Sequence, residues 1–69
     1  MIERIEMYDV VALTENLPEK NLKKGEEGTV VLILAPNVFE VEFCDSDGIT
    51  YAMTAIEDNK LSVIWKAQK

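Results

Sequence analysis

Histidine is absent from this chain of 69 residues, and cysteine occurs once, at Cys44. Without an imidazole, no Cys–His nucleophile pair can be assembled. Zinc sites built from imidazole and thiolate lack their ligands for the same reason. A lone cysteine closes no disulfide within the chain, which suits a reducing cytoplasm. Long apolar runs are also missing, and none approaches the roughly 20 residues needed to span a bilayer. The opening stretch MIERIEMYD carries Glu3, Arg4, Glu6 and Asp9 and lacks the apolar segment of a signal peptide. The location expected from these absences is cytoplasmic, with no membrane partner. Basic residues are scarce too: 13 acids face 7 bases, a formal charge of −6. That balance repels polyanions and points away from nucleic acid, towards a basic protein.

What is present is a series of short β-rich runs separated by turn residues, with no sustained 3.6-residue period. The length allows one small domain over residues 1–69, with residues 1–7 and 66–69 at its periphery. A core of this size supplies about 3–5 kcal/mol of net stability. The first strand is read as Tyr8 to Glu15, with Val11 and Leu13 on one face and Asp9, Val10 and Ala12 on the other. A long loop follows, in which Pro18 forbids a central strand and Leu17 and Leu22 turn inward. Thr29 to Leu34 is apolar at both parities, as expected of a strand covered on both sides or broken by a bulge.

VFEVEFC, Val38 to Cys44, is the clearest signal. Phe39, Val41 and Phe43 alternate with Glu40 and Glu42, so one face is core and the other meets water. Asp47-Gly48 marks a hairpin, both residues tolerating positive φ. Ile49 to Ile56 then places Ile49, Tyr51, Met53 and Ala55 on one face. A polar corner, Glu57 to Lys60, suits a single 3₁₀ turn. The last strand, Leu61 to Trp65, is expected to point Leu61, Val63 and Trp65 inward, with a frayed tail from Lys66 to Lys69. Five strands in this order predict an all-β, SH3-like barrel, which hides most of its sheet edges.

With the strands placed, five motifs stand out: DVVALT at Asp9–Thr14, Leu17-Pro18, G-x-x-G-T-V at Gly25–Val30, EVEF at Glu40–Phe43 and DGITYA at Asp47–Ala52. Together they resemble a family of short bacterial proteins, frequent in cyanobacteria, catalogued as domain of unknown function 4926. The likeness runs from about Tyr8 to Trp65. It implies an SH3-like barrel. It also implies gene neighbours that are small toxin-like or uncharacterised proteins, and hence a partner encoded in the adjacent reading frame.

Gly25-Glu26-Glu27-Gly28 resembles the turn of KOW-type RNA-binding barrels, and Lys20, Lys23 and Lys24 lie close by in sequence. Yet Glu26 and Glu27 occupy the tip that a phosphate would approach. The plainer reading is a turn needing glycine at positive φ, or a point where the backbone crowds. Asp45-x-Asp47-Gly48 begins like a calcium loop, but Phe43 and Thr54 stand where further carboxylates would be required. Glu40 and Glu42 lie about 7 Å apart on one strand face. Paired carboxylates need a cleft to act as acid and base, and none is evident in so small a barrel.

The expected protein is therefore non-enzymatic, without cofactor or metal. It is read as a protein-interaction module or small antitoxin-like accessory for a basic protein, either monomeric or a weak homodimer. A KOW-like RNA-binding domain is the alternative. The expected contact is Leu32 beside Glu40 and Glu42, unless the segment 2–7 covers Leu32. Gly25, Gly28, Asp47 and Gly48 are expected to serve as structural turns.

Overall fold

Val38–Cys44 forms a strand over its full predicted length, with Phe39, Val41 and Phe43 buried and Glu40 and Glu42 on the other side. The computed structural model describes residues 4–67. Within it the chain forms β1 (Val10–Leu13), β2 (Glu27–Ala35), β3 (Val38–Cys44), β4 (Thr50–Glu57) and β5 (Leu61–Trp65). These make one antiparallel sheet in the order β4-β3-β2-β1-β5. β2 belongs to both halves: its start pairs with β1 and its remainder with β3. This is the all-β, SH3-like arrangement. β4 and β5 form the two ends of the sheet, joined through a 3₁₀ turn at Asp58–Lys60.

The bend of β2 explains its apolar residues at both parities. Register shifts fall between Val30 and Leu32 and between Ile33 and Ala35, so the strand changes phase as it crosses the barrel. Val30 is fully buried, whereas Leu32 and Leu34 are exposed. In the first loop, Leu17 and Leu22 exchange two backbone hydrogen bonds, of 2.8 and 3.1 Å, and both side chains are buried. Pro18–Lys20 forms a 3₁₀ turn between them, ended by Asn21 in the left-handed region at φ 58°. Burying two leucines stabilises the domain by roughly 1.5–3 kcal/mol each, enough to hold an otherwise polar loop on the barrel.

Three expectations are corrected. Asp9 shares its face with Val11 and Leu13, as a period of two requires, and is fully buried. Its Oδ2 accepts hydrogen bonds from the Glu6 N–H at 2.8 Å and from Lys66 Nζ at 2.6 Å, and its Oδ1 from the Ala67 N–H at 2.9 Å. Residues on either side of the barrel sequence thus meet on one carboxylate. Trp65 points outward and is 53% exposed. The cause is a bulge: Val10 pairs with Trp65 but Val11 with Val63, so Ile64 is an extra residue that shifts the phase. In the turn before β4, Gly48 alone takes a positive φ (80°); Asp47 does not. Asp45 Oδ1 holds the turn by accepting the N–H groups of Asp47 and Ile49.

Met53 and Ala55 lie on the exposed face of β4 and Ile56 on the buried one; Tyr51, expected on the face of Met53, is a bulged extra residue, exposed, with its ring centroid 6.4 Å from that of buried Phe43. Cys44 is exposed, with Sγ 3.6 Å from Thr50 Oγ1.

Candidate functional site

Cross-strand pairing builds the outer face of β2, β3 and β4 residue by residue. Leu32 lies opposite Glu40, which lies opposite Ala55. One row along, Thr29 lies opposite Glu42, which lies opposite Met53. Directly opposed residues keep their Cβ atoms about 4.5–5.5 Å apart on the same side of the sheet. Glu40 is therefore flanked by two apolar residues, and Glu42 by Met53 on one side and Thr29 on the other. Leu32 is 51% exposed and Met53 56% exposed. The described part of the N-terminal segment, Arg4 to Met7, lines a different region and leaves Leu32 open. Glu42 Oε2 accepts a short hydrogen bond from the Thr50 hydroxyl. The Glu40 carboxylate has neither hydrogen bond nor ion pair among the described residues.

A feature of the sequence gains meaning only on this frame. From Gly25 to Asn59 the chain holds eight acids and no lysine or arginine, a formal charge of −8. The remainder holds five acids and seven bases. The first stretch is nearly the whole of β2, β3 and β4 with their turns. The net negative charge of the protein thus falls on the segment that forms β2, β3, β4 and their turns. Counting charges by segment, and not only over the whole chain, would have revealed it.

The two glycines of Gly25–Gly28 differ in kind. Gly25 adopts φ 92° with open space where a Cβ would sit. Gly28 has no such φ; a Cβ there would lie 2.7 Å from Val41 Cγ1 and 2.8 Å from the Glu42 carbonyl oxygen. Four successive N–H groups in this turn are already satisfied: Lys23 by Glu26 Oε2, Lys24 by Asn16 Oδ1, Gly25 by the Leu13 carbonyl and Glu26 by the Lys23 carbonyl. A phosphate cradle works through free N–H groups of this sort, and the turn offers none of these four.

Glu26 also fastens the far end of the sheet. Its Oε1 accepts the Tyr51 hydroxyl at 2.6 Å. That hydrogen bond, with a smaller push from burial, raises the Tyr51 pKa to about 12, and it holds Glu26 below its ordinary value. The stabilisation is present below pH 10, the ordinary tyrosine value, and is lost as pH rises through about 12. On the acid side it is present above pH 4.5 and lost as pH falls through the depressed Glu26 value. Expected outcome: in ¹³C-tyrosine NMR, Glu26→Gln moves the Tyr51 titration from about 12 towards its ordinary 10.0. An unchanged midpoint would show that Glu26 is not the cause.

A cleft is present, contrary to expectation. A groove of about 730 Å³ opens beside β5, lined by Ile5, Met7, Ile33, Phe39 and Leu61 among others. Glu40 and Glu42 lie outside it, so the paired carboxylates do not face a cleft. No three histidine, cysteine, aspartate or glutamate residues gather as a metal site among the described residues. No described helix is long and apolar enough to cross a membrane.

Residues 7–63, well over half the chain, match the family model described as Domain of unknown function (DUF4926). The chain belongs to the DUF4926 family. The match spans every strand of this DUF4926 barrel except the last two residues of β5. It includes both glycines of the first turn and the whole Leu32–Glu40–Glu42 face. No curated protein and no solved structure matches the chain.

Proposed function

We propose that this DUF4926 domain is a non-enzymatic protein-interaction module, an accessory or antitoxin-like protein that docks a basic partner through the outer face of β2, β3 and β4. The single observation that carries the reading is that Leu32 and Met53 are exposed beside Glu40 and Glu42, within a segment of eight acids and no bases that forms β2, β3 and β4. Apolar groups within a charged rim are what a docking patch requires: burial supplies affinity, and charge supplies steering and choice of partner.

The cytoplasm is the compartment that fits a chain with one thiol and no disulfide. The product of the adjacent reading frame is the first partner to test. Co-expressed with it, the wild-type domain should co-purify at low salt and release it as salt rises. Glu40→Lys with Glu42→Lys should abolish capture and leave the circular dichroism spectrum unchanged. If the reversed protein retains the same partner, the patch is misassigned.

A further inference from the structure

The sheet has two open edges, and they differ. β5 is five residues long, bracketed by Lys60 and Lys66. Flanking lysines are a common way of discouraging a further strand. β4 is eight residues long, TYAMTAIE, with no proline and no base. It pairs with β3 alone, and among the described residues no backbone hydrogen bond is made along its other side. A strand pairs through alternate residues, so about half of its N–H and C=O groups face outward without a partner. One bulge, at Tyr51, disturbs the start of β4; from Ala52 to Glu57 the strand runs in unbroken register with β3 and is neither interrupted by proline nor charged along its length.

We infer that the free edge of β4 is the docking element, and that the partner supplies an extended segment bearing lysine or arginine at alternate positions, which adds as a sixth strand. This rests on the reading of the acidic face and names the partner's chemistry and the mode of binding. Backbone hydrogen bonds to an open edge supply affinity and register, while alternate side chains supply specificity. Residues of an added strand that share the outer face come to lie beside Met53 and Ala55, one strand from Glu40 and Glu42. A lysine stem packs on Met53 and Ala55 while its ammonium reaches the carboxylates. A second copy of this chain fits less well, because β4 against β4 would bring together two segments that each carry −8.

The test uses the full chain labelled with ¹⁵N and an acetylated, amidated octapeptide of alternating lysine and valine, with a glutamate–valine peptide as control. Amide hydrogen exchange is read residue by residue. The expected result is a slowing of at least about tenfold in β4 amides at saturating lysine peptide, none with the glutamate peptide, and weaker binding at high salt. Met53→Lys with Ala55→Lys places gatekeeper charges on the exposed face of the edge and should abolish protection while the fold persists. Glu40→Lys with Glu42→Lys separates the two claims. If that variant loses the peptide but wild-type protection falls away from β4, the acidic face stands and the edge is overturned. If it still binds, the acidic-face reading itself fails. Protection of β4 that grows with protein concentration in the absence of peptide would make the occupant a second copy and overturn the proposal, as would the absence of any binding.

Discussion

Asp9→Ala leaves the domain largely unfolded at 37 °C. The wild-type carboxylate is fully buried and satisfied by Lys66 Nζ and the N–H groups of Glu6 and Ala67. Its removal leaves the Glu6 and Ala67 N–H groups without this acceptor, at about 1–3 kcal/mol each, while Lys66, partly exposed, still has Glu6 at 3.4 Å. A domain of this size holds about that much in total. The same carboxylate closes the turn in which Tyr8 sits at φ 70°, a conformation that costs a non-glycine residue about 1 kcal/mol and that the chain adopts only while held.

Burial alone would raise the Asp9 pKa. The Lys66, Ala67 and Glu6 hydrogen bonds and the Lys66 charge outweigh it, and the value is lowered. Its contribution is therefore present above pH 3.8 and lost as pH falls through the depressed value. Lys66 is held above 10.5, chiefly by its hydrogen bond to Asp9, so its contribution is lost only as pH rises through the raised value. Thermal denaturation followed by circular dichroism reads the effect. A fall in Tm of less than about 4 °C, the equivalent of under 1 kcal/mol in so small a domain, would show that the carboxylate is not a structural hub. Asp9→Asn, which keeps a side-chain acceptor for the Glu6 and Ala67 N–H groups, should lose less than Asp9→Ala.

Gly28→Ala is the second large effect. An added Cβ would meet Val41 Cγ1 at 2.7 Å, the Glu42 carbonyl oxygen at 2.8 Å and Phe43 Cδ2 at 3.0 Å. The oxygen is backbone inside the β2–β3 ladder and cannot swing aside. Overpacking costs about 1–3 kcal/mol, and a contact with backbone lies at the upper end. Gly25→Ala meets nothing within 4 Å and bears only the cost of a positive φ, about 1 kcal/mol. Urea denaturation of the two variants should rank Gly28→Ala as the more damaging. The reverse order would contradict the close approach of β2 to β3.

Those two glycines show where reading a sequence stops. Their spacing marks a turn entering a strand, and that is what they form. Which one needs positive φ and which one needs the absence of a side chain depends on a strand more than ten residues away. Trp65 is a similar case: alternation from Leu61 sends it inward, and one bulged residue sends it out. Asp9 was read onto the face of Val10 and Ala12 although it has the parity of Val11 and Leu13, and only the arrival of Lys66 and Ala67 makes its buried carboxylate tolerable.

The amino-acid sequence by itself determined the five strands, the inward face of β3, the pinned leucines of the first loop, the family and the charge of each segment. These follow from local rules: side-chain alternation, turn chemistry, composition. Tertiary structure decided that Leu32 lies opposite Glu40 and Met53 opposite Glu42, and that β4 is an end strand of the sheet. Those facts depend on register and bulges, which are set by how distant strands pack, and a one-residue shift in either turns every side chain to the opposite face.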